Sequence, residues 1–130
     1  MPTEEIINIR PSGGDFTSVS DFITNYAGGR DLVTRDVFLS VRIWDEFTGG
    51  LSDSPRFSNG DLFTTNESCH ICIEANPGDA CNYDLSAGAR IVNASSVNAT
   101  LHCQTAHVIV KDVGVSNQHA TSTMWACYKP

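Results

Sequence analysis

Residues 68–78 read SCHICIEANPG, and two incompatible readings compete for them. Cys69 and Cys72 have the spacing of half a zinc site. The same letters also alternate. Cys69, Ile71, Ile73 and Ala75 fall on one side, and His70, Cys72 and Glu74 on the other, as on a half-buried strand. Residues three apart on an extended strand point to opposite faces, so they cannot reach one metal without a turn. A zinc knuckle makes that turn with a glycine after its second cysteine, and here Ile73 stands there. The remaining ligands on paper, Cys81, His102 and Cys103, lack the paired spacing. The stretch therefore reads as a strand that ends in the turn NPGD, with Cys69 directed inward and Cys72 outward. The chain has five cysteines, an odd number, so at least one forms no intrachain disulfide. Buried thiols pack as small hydrophobes. Cys103, on the face of Leu101, is expected to stack over Cys69 in the next layer, and Cys127, two after Trp125, to do the same.

Elsewhere along the chain the period of two recurs. In DVFLSVRIWDEF, Val37, Leu39, Val41 and Ile43 share one face, and Phe38, Ser40, Arg42 and Trp44 the other. IINIR near the start, ARIVN, ATLHC, HVIVKDVGV and TMWACY read as further short strands, each stopped by Gly, Asn, Asp, Ser or Pro. TGGLSDSPRFSNGD reads as a loop with a turn at Asn59-Gly60. The one helix is expected over about residues 17–28. Phe16, Val19, Phe22, Ile23 and Tyr26 have helical spacing, Thr17 or Ser18 caps the start, and Gly28-Gly29 ends it. No strand–helix alternation follows. The pattern is all-β with one early helix. Short apolar pieces at irregular intervals, with Asn and Gly at corners, suit a parallel β-solenoid, and a β-sandwich is the alternative.

The 130 residues form a single domain, 1–130, long enough to bury roughly two-thirds of its unfolded surface. A net charge of −7 disfavours nucleic acid and anionic membranes. No apolar run approaches the length of a span. The opening MPTEEIINIR lacks the basic, apolar and small-residue segments of a signal peptide, so synthesis and folding in a cytoplasm are expected, with thiols reduced. The sequons at Asn66, Asn93 and Asn98 are then chance occurrences.

Three stretches in order, INIRPSGGDFTSVSDFITNYAGGRDLV, GDLFTTNESCHICIEANPGD, and ARIVN with HVIVKDVGVSN, resemble right-handed parallel β-helix proteins of bacteriophages and bacteria. The likeness covers about residues 7–117. It implies a short right-handed β-helix capped by the N-terminal helix, and a virion structural role as often as an enzymatic one. Family members continue for many more coils. A stack this short leaves open strand edges, which a homotrimer or a larger assembly would cover.

No catalytic motif accompanies this pattern. Asp45 and Glu46 are adjacent, Asp79 and Asp84 lie in a turn, and Asp112 lies in the last long strand, so no carboxylate pair for glycoside cleavage stands out. The chain has only two Lys for β-elimination chemistry. His102, His107 and His119 are scattered. The outward aromatics carry more weight. Phe38 and Trp44 lie opposite the core face of their strand, and Trp125 and Tyr128 sit near the end, so these four are the interface candidates. The sequence thus points to a non-enzymatic phage virion protein without a cofactor: a capsid decoration (cement) protein, or a short fibre or spike module. It would trimerise and dock on the major capsid protein or another virion protein after synthesis in the host cytoplasm. A carbohydrate-binding or carbohydrate-cleaving tail-fibre module, with Trp44 as a sugar platform, and a small zinc protein are the alternatives.

Overall fold

A computed structural model describes residues 1–57, 63–81, 87–93, 99–103, 107–117 and 125–128, with the backbone alone at 93, 99–100, 117 and 125–128. It is strand-rich with two short helices, as the all-β reading expects. The strands are β1 (Thr3–Ile9), β2 (Val37–Ile43), β3 (Leu51–Ser52), β4 (Arg56–Phe57), β5 (Ile71–Ala75), β6 (Arg90–Asn93), β7 (Ala99–Cys103), β8 (Val108–Lys111), β9 (Gly114–Asn117) and β10 (Trp125–Tyr128). They form three sheets, ordered β1-β2-β5-β8, β3-β6-β9 and β10-β7-β4. Every strand pairing among the described residues is parallel. From β2 onward the chain visits the three sheets in the same order three times.

The period of two sets what each strand buries. In β2, Leu39, Val41 and Ile43 are fully buried, and in β5 so are Ile71 and Ile73. Register then stacks like on like. Ile7, Val41, Ile73 and Val110 form one inward column, and Leu39, Ile71 and Val108 another. In the second sheet Leu51, Ile91 and Val115 align, and in the third Phe57 aligns with Cys103 and Leu101 with Cys127. Each fully buried Ile, Leu or Phe contributes about 1.5–3 kcal/mol of transfer free energy. A one-residue slip would turn every such column outward.

The helices cover one end of this core. Helix α1 spans Val19–Asn25, within the expected 17–28 but shorter. Ser18 Oγ accepts from Asp21 N at 2.9 Å, and Asp21 in turn accepts from Thr17 N at 3.2 Å. The helix stops at Tyr26, before Gly28-Gly29, because Tyr26 turns extended and its hydroxyl bonds Glu5 on β1 and Arg35. Phe22 and Tyr26 stack on Phe63 at 5.8 and 6.0 Å, and Phe57 of β4 meets the same ring. Ser20 bonds Asp53, between β3 and β4, through both its N–H and its hydroxyl. α1 thus lies over the free edge at β3 and β4.

Several expectations need correction. A second helix, α2 (Leu32–Arg35), follows α1, capped by Asp31 and ended by Asp36 at φ 54°. The Gly- and Ser-rich stretch read as a loop holds β3 and β4, and the turn placed at Asn59-Gly60 lies outside the described residues. HVIVKDVGV is not one strand. Asp112, at φ 61°, turns the chain between β8 and β9, where its carbonyl accepts from Cys81 N at 2.9 Å. Asp79 does lie in a turn, and Asp84 is outside the described residues. Cys103 does not stack over Cys69. It lies in the third sheet opposite Phe57, whereas Cys69 precedes β5 of the first.

Candidate functional site

The outward side of the four-stranded sheet gathers the chain's most distinctive side chains into three rows. Register aligns Asn8, Arg42, Glu74 and Lys111 in one row, and Ile6, Ser40, Cys72 and Ile109 in the next. The third runs from Glu4 to Phe38 and continues through His70 and His107, which immediately precede β5 and β8. Leu39 N donates to His70 O at 2.9 Å and Ile71 N to His107 O at 3.0 Å, so the ladder reaches both histidines.

Each row has its own chemistry. Arg42 stands 4.0 Å from both Glu4 and Glu74, at the limit of ion pairing, and its buried Nε has no hydrogen-bond partner. Ser40 points outward yet is only 1 % exposed, because its hydroxyl donates to Glu4 at 2.6 Å beneath the longer side chains. On either side of it Ile6 and Ile109 are 42 % and 48 % exposed. Between Ser40 and Ile109, the Cys72 thiol is pushed above its usual range by burial, with the nearby Glu74 carboxylate adding to the effect.

The predicted aromatics point where alternation directs them, and both are half-buried. Phe38 stacks on His70 at 5.4 Å with 26° between the rings. Trp44 donates from Nε1 to Asn8 Oδ1 at 3.0 Å, and the Arg10 guanidinium lies 4.1 Å from its ring centroid. Arg10 is held there by a bidentate pair with Glu46, at 2.6 and 2.8 Å. One face of Trp44 is therefore covered by a fixed cation, which weakens it as a sugar platform. Trp125 and Tyr128 belong to β10, in register with Ala99 and His102, and their side chains lie outside the described residues.

Beside Phe38, the His70 end of this face opens into a cleft of about 200 Å³, lined by Glu67, His70, His107, Val108 and Ile109. His70 Nδ1 lies 3.1 Å from Glu67 O. His107 donates its backbone N–H to Thr65 Oγ1 at 2.8 Å, and its Nδ1 lies 3.4 Å from the same hydroxyl. The sequence reading passed over this pair. The signal was there, as HICIEA and HVIVKD place a histidine at the same step before two alternating strands.

The cysteines follow the strand reading. Cys69 is buried, with its N–H on Asn66 Oδ1 at 2.7 Å and its sulfur 4.0 Å from Asp36, while Cys72 faces out. Cys81 lies at the corner beside Asp112, and Cys103 in the third sheet. The four are dispersed, and among the described residues no three of His, Cys, Asp and Glu gather as a metal-holding group. The carboxylates build corners. Asp79 accepts from Asp45 N at 3.1 Å and from Asn76 Nδ2 at 3.2 Å, tying successive turns together. Among the described residues no helix is long and apolar enough to cross a membrane. Compared with protein-family models, curated proteins and solved structures, the chain finds no match.

Proposed function

We propose that the chain is a short right-handed parallel β-helix whose work is assembly rather than chemistry. All-parallel pairing and the repeated visit to three sheets support the solenoid over a β-sandwich, which is built from antiparallel sheets. The resemblance of its sequence to phage β-helix proteins supports a virion structural role, as a capsid decoration protein or a short fibre or spike module. It acts as a homotrimer docked on the major capsid protein or another virion protein.

The observation that carries the assembly reading is the difference between the two ends. α1 covers the β3–β4 edge, through Ser20 on Asp53 and Phe22 on Phe63, whose ring meets Phe57 of β4. At the other end Val110 continues the column of Ile7, Val41 and Ile73, yet it is 36 % exposed where Ile73 is fully buried. An inward column whose last member among the described residues is this exposed, on the edge strand of its sheet, is a surface that a partner would cover. Sedimentation of the protein and of Val110→Lys tests this. The wild type is expected as a trimer, with the lysine shifting it towards monomer. A wild type monomeric at micromolar concentration, or a trimer indifferent to the lysine, overturns the reading.

A further inference from the structure

His70 and His107 sit side by side on adjacent parallel strands, one step before the register pair Ile71 and Val108. That places their Cα atoms about 4.8 Å apart, the spacing of neighbouring strands. Both line the same cleft, together with the carboxylate-bearing Glu67. We propose that these two imidazoles form a site for a divalent transition-metal ion of the Zn²⁺ class, with water completing the coordination.

Hydrogen bonding prepares the rings. Glu67 O can only accept, so the neutral His70 ring carries its proton on Nδ1 and presents a lone pair at Nε2. At His107, Nδ1 faces the Thr65 hydroxyl, which takes either role. Metal at Nε2 selects the tautomer in which Nδ1–H donates to it. A ring held through one nitrogen by a backbone carbonyl or hydroxyl, with the other nitrogen free, is the usual posture of a metal-bound histidine. Phe38 stacks on one face of the His70 ring and fixes its plane. Two Zn–N bonds of about 2.0–2.1 Å at a tetrahedral angle need the Nε2 atoms about 3.3 Å apart. Neighbouring strands about 4.8 Å apart set the two ring-bearing backbones at a spacing that such a chelate can bridge. The Glu67 carboxylate adds the charge that draws a cation in. The bound ion would clasp β8, the last strand of its sheet, to β5, and this stands whatever the assembly state.

The test is a Zn²⁺ titration of the full chain, followed by calorimetry and by the histidine ring resonances in NMR. One equivalent is expected to bind at micromolar concentration and to shift the rings of His70 and His107. His70→Gln and His107→Gln should each weaken binding by about ten-fold or more, and Cys72→Ser should leave it unchanged. Both glutamines replace cleft-lining side chains outside the core, and circular dichroism checks their fold. No binding up to millimolar Zn²⁺, binding that survives both glutamines, or binding lost in Cys72→Ser overturns the proposal.

Discussion

Replacing Ile73 by alanine should be far more damaging than replacing Ile109, although both are isoleucines on adjacent, paired strands of one sheet. Ile73 is fully buried in the column between Val41 and Val110. Ile→Ala removes three carbons, worth about 2.4 kcal/mol at ~0.8 kcal/mol per buried CH₂. The strands above and below are pinned by their ladders, so the space collapses only in part. The cavity brings the total to about 3–4 kcal/mol, inside the 2–5 kcal/mol usual for such deletions. That is a large share of the roughly 5–15 kcal/mol that holds a domain together. Ile109 faces out and is 48 % exposed, so its truncation forfeits about half the transfer term, leaves no cavity, and should cost about 1 kcal/mol or less. Urea unfolding followed by circular dichroism, at one protein concentration for all three proteins, measures both. Equal losses, or a larger loss for Ile109→Ala, would mean that β8 sits one residue out of the register described, and the column argument would fall with it.

Two glycines make a matched pair. Gly78 and Gly88 have nearly the same φ, 89° and 90°, but a Cβ at Gly78 meets nothing within 4 Å while one at Gly88 would lie 2.2 Å from Ala80 O. Gly78→Ala should lose about 1–2 kcal/mol from the left-handed backbone alone, and Gly88→Ala distinctly more, read from the same urea curves. In acid, two helix caps lose their grip. The Asn25 side chain, with Thr17, holds the Asp21 carboxyl below its ordinary value of 3.8, and Thr34 N–H does the same for Asp31. A depressed folded pKa gives stability that is present above the ordinary value and lost as pH falls through the folded one. Thermal stability should therefore drop below about pH 4, less steeply in Asp21→Asn, and a flat profile from pH 5 to 2 would contradict these caps. The Cys72 thiol, pushed above its ordinary 9.0, should alkylate with iodoacetamide more slowly at pH 8 than a free cysteine does. Reaction at the rate of a model thiol would put Cys72 elsewhere.

Much of this architecture is legible in the letters. Alternation in VFLSVRI and ICIEA is long enough to settle which residues turn inward, and it disposes of the Cys69–Cys72 zinc pair. Ser18 announces its helix because a cap acts within three residues. Other features depend on partners that periodicity does not name. β3 and β4 have two residues each, too few to show any period, and exist as strands through β6 and β7. Asp112 breaks HVIVKDVGV by adopting a left-handed conformation that aspartate tolerates better than most residues, a preference too weak to read in one position. The half-buried state of Trp44 comes from Arg10, 34 positions away in the chain but one strand away in space. His70 and His107 become neighbours only when the register is known. Aligning FLSVRI, HICIEA and HVIVKD as three successive steps would have supplied it.

The assembly claim is tested most directly by native mass spectrometry of the reduced protein in the presence of a chelator, which removes metal as a source of association. A trimer of the 14.1 kDa chain is expected at micromolar concentration. A monomer under those conditions would contradict it.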